Sequence, residues 1–258
     1  MLCREIIDVI ERTYPKHAAL EWDNVGLLVG RTEKEVKKIY VALDATEEVI
    51  ETAVKVGADM LITHHPLIFS PLKKITDEHF IGNRVVKLLQ RDISYYAMHT
   101  NYDVLGMAEL SGEILGLQNG DVFEVTDAEN HVGIGRIGEL KRSMSLQECC
   151  ELVKEVFNLP TVRLFGNKET LVKRVAISPG SGKKMTQVAL EKEAQVLITG
   201  DIDHHEGIDA VAQGLAIIDA GHYGLEHIFI KDIVEYLEKH IDNISVEKAE
   251  IIHPFQIV

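Results

Sequence analysis

Cysteine is scarce in this 258-residue chain, with only Cys3, Cys149 and Cys150 present. An odd number, two of them adjacent, builds neither a disulfide framework nor a CxxC metal site, and suits a reducing compartment. No apolar run approaches the ~20 residues that a membrane-spanning helix needs. The first thirteen residues carry Arg4, Glu5, Asp8, Glu11 and Arg12 among Leu2, Ile6, Val9 and Ile10. They read as an amphipathic helix rather than a signal peptide, so a cytoplasmic protein with no membrane partner is expected. Positive charge is also short: 27 Lys and Arg face 41 Asp and Glu, a net charge of −14. Binding to a phosphate backbone needs clustered cations, which argues against nucleic acid as a partner. Lys73, Lys74, Lys183 and Lys184 are the only obvious candidates for a basic lumen.

Two nucleotide-binding signatures are missing as well. Val132 to Gly138 has alternating glycines but not the GxGxxG that opens a helix, and reads as a strand with small residues on one face. Ser178 to Lys184 lacks the P-loop spacing and reads as a strand-to-helix turn, one whose small residues leave an anion-friendly run of backbone N–H groups.

What is present is an ordinary globular balance, 46% hydrophobic and 26% charged. Strand-like runs at 27–30, 39–44, 61–63 and 94–98 alternate with helical ones at 47–56, 81–90 and about 107–115. Thr46 and Ser145 are expected to cap helices at their N-termini, and Gly57 to close one. The alternation predicts an α/β fold with mostly parallel sheets. The acidic, Gly- and Asn-containing stretch 118–130 suits a linker or an exposed hairpin. A first lobe over 1–125 and a second over 126–258 are expected, with a C-terminal helix or strand packing back on the first. An internal repeat supports two related lobes: Val41–Asp44 and Ala58–Thr63 parallel Val175–Ser178 and Ala194–Thr199, while Ala97–Asp103 parallels Ile217–Tyr223. A cleft between such lobes is the expected place for a ligand.

Five residues at strand ends stand out as metal ligands: His64 and His65 before Pro66, Asp103 after the next strand, then His222 and Glu226, four apart and on one face if a helix begins there. Three imidazoles and two carboxylates exceed the four ligands of a structural zinc. They suit two divalent ions, Zn, Fe, Mn or Co, with Glu226 or Asp103 bridging and an activated water between them. His99 either moves protons, orients a ligand or is structural. His204 and His205 either line the cleft or are solvated. The single tryptophan, Trp22, either anchors the core or faces a ligand.

Trp22–Leu27, Thr63–Pro66, His99–Asp103, Gly200–His205 and Gly221–Glu226 together resemble the GTP cyclohydrolase I type 2 (Nif-three-like) family, nearly end to end and in the family's order. The resemblance implies two similar α/β domains, a dinuclear metal site on the same five residues and a toroidal homohexamer. Longer members carry a domain inserted between the halves, for which this chain has no room. The expected function is metal-dependent hydrolysis of a nucleotide-like substrate, with GTP ring opening as its specific form. The alternatives are a hexameric metal-binding or regulatory protein without turnover, and a ring-shaped binder of single-stranded nucleic acid.

Overall fold

A computed structural model describes residues 1–258. The strands in chain order are β1 (Gly26–Val29), β2 (Lys38–Ala42), β3 (Met60–Thr63), β4 (Ser94–Ala97), β5 (Gln118–Asp127) and β6 (Val132–Ser145). They continue with β7 (Arg163–Phe165), β8 (Leu171–Ser181), β9 (Val196–Gly200), β10 (Ala216–Asp219) and β11 (Ser245–Lys248). Two sheets form, in the orders β1-β4-β3-β2-β11 and β5-β6-β8-β9-β10-β7. The first is parallel except at β1, while the second has a parallel centre, β8-β9-β10, flanked by antiparallel neighbours. The fold is α/β, and no helix is long and apolar enough to cross a membrane.

The chain divides into two compact units, Met1–Tyr102 with Phe229–Ile252, and Asp103–Ile228 with His253–Val258. Along the sequence the units part between Tyr102 and Asp103. Residues 118–127 are the edge strand β5, and their linker-like polarity is that of a strand whose residues 118–121 are exposed. β5 turns directly into β6, so the stretch is a hairpin.

Local signals set several boundaries. Thr46 accepts the Val49 N–H, and Ser145 forms a capping box with Glu148, each starting a helix. Gly57 follows the helix Glu47–Lys55 at φ +71°, as a left-handed stop. At Gly133 a Cβ would collide with the backbone of Glu124, which explains the small residues in β6.

The short strands are held by burial on both sides. Tyr40, Leu61 and Tyr95 pack with Ile50, Ala53, Val85 and Leu88 of the helices Glu47–Lys55 and Phe80–Gln90. Their alternating neighbours Ile39, Val41, Ile62 and Tyr96 are also fully buried. Each such side chain contributes roughly 1.5–3 kcal/mol, so packing rather than local propensity holds strands this short. In the second unit Phe123, Ile137, Ala176, Leu197 and Ile217 form the corresponding cluster with Ala189 and Ala210.

The repeat is visible in the topology. The order β1-β4-β3-β2 matches β7-β10-β9-β8, including the antiparallel first pairing. The register corrects the sequence comparison: Ile62 lies opposite Val41 and Tyr96, whereas Ile198 lies opposite Ile177 and Ile218. With β3 and β9 superposed, the flanking strands move by two residues from the sequence match. A shift of two leaves every side chain on its own face, so the sequence pattern cannot register it.

A further difference concerns Asp103. The chain becomes helical at Thr100, well before Met107, and Asp103–Met107 forms a wide π turn before the helix Ala108–Leu115. Asn101, Asp103 and Gly106 are poor helix formers, but the Asn101 amide donates to the Tyr14 carbonyl at 2.9 Å and the Tyr102 hydroxyl to Asp232 at 2.7 Å. Tertiary bonds override propensity here.

Candidate metal centre

In the first unit β3 stops at Thr63, and the next two residues are the adjacent histidines. The loop that carries them is pinned: the His65 carbonyl accepts from the Thr63 hydroxyl (2.8 Å) and the Tyr95 hydroxyl (2.9 Å), and Tyr95 accepts the Leu67 N–H (2.7 Å). Burial pushes the Tyr95 phenol well above its ordinary range, which keeps it a donor. Both rings thus have fixed roots.

His64 is fully buried and donates through Nδ1 to the Met98 carbonyl at 2.8 Å. His65 directs Nδ1 at the Asp44 carboxylate, 2.7 Å away. His99, at the exit of β4, directs Nδ1 at Asp23, 2.9 Å away. One ring nitrogen from each of the three lies within 4.8 Å of the others. Because each Nδ1 is held by an oxygen, Nε2 is the nitrogen that each ring offers to the cluster. A carboxylate or carbonyl on the far nitrogen is the arrangement that fixes the tautomer of metal-binding histidines.

Asp23 is the most heavily bonded of these carboxylates. It accepts from His99, from the Thr100 N–H (2.9 Å) and hydroxyl (2.5 Å), and from the Asn24 N–H (2.8 Å). Burial alone would raise its pKa, but the hydrogen bonds from His99 and Thr100 outweigh it and hold the carboxyl at about 2.

In the second unit, Gly221 at φ +77° turns the chain from β10 into a helix, His222–Glu226. His222 and Glu226 do share a face: Nε2 of one lies 3.0 Å from Oε2 of the other, while His222 Nδ1 is 2.8 Å from Asp201. Glu226 is buried. Asp219 shapes the turn by accepting from the Ile202 and Gly221 N–H groups at 3.1 and 2.9 Å. His227 is buried and donates through Nε2 to the Phe157 carbonyl at 2.9 Å, and burial lowers its pKa. It is a neutral structural histidine.

Gly180, at φ +82°, lies beside this pair. A Cβ there would stand 2.5 Å from Glu226 Oε1 and 3.9 Å from His222 Nε2. Gly180→Ala is therefore expected to displace the carboxylate and weaken metal binding by about 10- to 100-fold, the range for changes beside metal ligands. Calorimetric titration with zinc checks this, and unchanged affinity would remove Glu226 from the ligand set.

The structure thus groups His64, His65 and His99 in one unit, and His222 and Glu226 in the other. Asp103 opens the π turn of the second unit. His204 and His205 are exposed on the first turn of a helix capped by Asp203 and lie outside both groups. The Lys184 N–H in the small-residue turn before the helix Met185–Glu191 is taken by Glu206 at 3.1 Å. Sequence reasoning missed Asp23, Asp44 and Asp201, whose only signal was their position in the same motifs or at a strand's end.

A family model described as Duf34/NIF3 (NGG1p interacting factor 3) matches residues 1–254. The chain belongs to this family. It is 35% identical to a Clostridium perfringens relative over 263 positions that cover all of both chains, which leaves no room for an inserted domain in either. A Lactococcus lactis relative is 37% identical over 95% of each chain. Both bear the name GTP cyclohydrolase 1 type 2 homolog. The crystal structure of a Bacillus cereus protein related to NIF3 superposes with a TM-score of 0.93 at 29% identity, over 100% of this chain and 99% of that one.

Proposed function

We propose that this NIF3-family chain is a metal-dependent hydrolase of a nucleotide-like substrate, with His64, His65, Asp103, His222 and Glu226 as ligands to two divalent ions. The observation that carries the reading is the trio of imidazoles with grouped ring nitrogens and each Nδ1 bound to oxygen. Side chains placed by chance on a wet turn do not have all three tautomers set. The pairing of His222 with Glu226 supplies the mixed nitrogen and oxygen donors that suit Zn, Fe, Mn or Co. When bound, such ions supply Lewis acidity and an activated water near neutral pH.

The chain's own residues do the remaining work. Asp44, Asp201 and the Met98 carbonyl orient His65, His222 and His64. His99 is the proton carrier: Asp23 accepts from its Nδ1, which leaves Nε2 to exchange a proton with the substrate. The names of the relatives support GTP as a first substrate, and the proposed assembly is a homohexamer, which sedimentation checks as six times the protomer mass.

Metal-loaded protein incubated with GTP is expected to release formate, read by a coupled dehydrogenase assay, with at least one of Zn, Fe, Mn or Co. No release with any of them, alongside hydrolysis of another substrate in a panel, would exclude GTP. Inertness across the panel would favour metal binding without turnover.

A further inference from the structure

The only tryptophan is held out of the core. Trp22 is 58% exposed and Phe69 54% exposed, with ring centroids 5.7 Å apart and planes at 45°. Tryptophan is usually well buried, and leaving two large rings half in water forgoes part of the stabilisation that burial would bring. Their exposure is not that of a loose loop. The Asp23 N–H donates to the Leu20 carbonyl, and the Leu20 N–H to the Thr100 hydroxyl, both at 2.9 Å. The Asp23 carboxylate is locked onto His99 and Thr100. The Asn24 amide donates to the Ile68 carbonyl at 2.6 Å, tying the loop of Trp22 to the loop of Phe69. Bonds at Leu20 and Asp23 flank Trp22, and the bond at Ile68 anchors the residue before Phe69.

The pair is also continuous with the histidines. The His99 ring lies 6.0 Å from Trp22, edge to face, and 6.4 Å from Phe69. The same ring lies 5.2 Å from His64 and 5.6 Å from His65. One imidazole is thus shared by an exposed aromatic pair and a cluster of metal-type nitrogens. Exposed aromatic surface marks an interaction site, and its chemistry names the occupant. Stacking on a neutral heteroaromatic ring asks for no positive charge, which agrees with a chain of net charge −14.

We propose that Trp22 and Phe69 form a stacking platform for a planar heteroaromatic ring, the base of a nucleoside-like ligand, presented to His64, His65 and His99. This assignment rests on the reading of the histidines as part of a metal-dependent site, and it names the part of the substrate that the site holds by its flat face.

Trp22 is its own reporter, because no other indole contributes to the emission. Full-length protein is titrated with guanosine, GTP and ribose 5-phosphate, with bound metal counted in the same samples. Guanosine and GTP are expected to change the Trp22 emission saturably, and ribose 5-phosphate to leave it unchanged. Phe69→Ala is expected to weaken guanosine binding by about tenfold, from the ~1–3 kcal/mol that a stacked base contributes. Phe69→Leu, which keeps apolar bulk without a flat ring, should weaken it similarly. Trp22→Ala, followed by calorimetry, should do the same. No response to guanosine, an equal response to ribose 5-phosphate, or undiminished affinity in both Phe69 variants overturns the platform. Emission that shifts with protein concentration and ignores guanosine assigns the face to a second copy of the chain and overturns it too. Protein that holds two ions yet ignores guanosine overturns the platform and leaves the metal reading intact, whereas guanosine binding by protein that takes up no divalent ion on addition sinks the metal reading and overturns the platform's place in a metal-dependent site.

Discussion

Asp23→Asn is expected to lower the unfolding free energy of the metal-free protein by about 2–4 kcal/mol at pH 7, read by urea denaturation. None of the Asp23 side chain is exposed, and all four of its hydrogen-bond partners are donors. Asparagine sets its own NH2 against some of them, and each buried donor left unsatisfied costs ~1–3 kcal/mol. The pH dependence follows from the direction of the shift. Burial opposes ionisation, the bonds from His99 and Thr100 more than offset it, and the folded pKa of about 2 lies below the ordinary 3.8. A depressed carboxyl pKa contributes stability that is fully present above the unfolded value and is lost as pH falls through the folded one. The difference between wild type and variant should therefore be flat from pH 7 to pH 5. It should narrow by about 1 kcal/mol by pH 3, because the unfolded chain takes up the proton near 3.8 while the folded carboxylate is still ionised. A constant gap over that range would show that the carboxylate's charge has no part in holding His99.

Much of this arrangement is legible from the chain. Two histidines at a strand's end followed by Pro66, and a histidine four residues before a glutamate, are candidate donors that the spacing makes visible, and the family resemblance is what joins them into one ligand set. The α/β fold and its duplication are legible for a similar reason: strand and helix periods survive divergence, and β1–β4 and β7–β10 keep the same order. The carboxylates that set the histidine tautomers are not. Asp44 and Asp201 lie 21 residues from His65 and His222, and Asp23 lies 76 residues from His99. An aspartate at a strand's end reads equally well as a cap or a solvated turn until the partner ring is located. Trp22 was open between core anchor and ligand contact, and its exposure decides against the core. The helical start at Thr100 was hidden because its stability resides in contacts to Tyr14 and Asp232, far along the chain.

The central claim is that the five residues hold two ions, and single substitutions test it with large effects. His65→Ala removes one imidazole, and its orienting partner Asp44 is exposed enough to be solvated once the ring is gone. Glu226→Ala removes a buried carboxylate that faces His222 Nε2 at 3.0 Å. Neither change opens a strand or a core cluster, so both variants should melt cooperatively while their activity falls to background. The decisive measurement is elemental analysis of wild type and both variants, purified without added metal. Two divalent ions per wild-type chain, falling to one or none in His65→Ala and Glu226→Ala, is the predicted result. Metal-free wild type that takes up no divalent ion on addition, or metal content unchanged by either substitution, would contradict it.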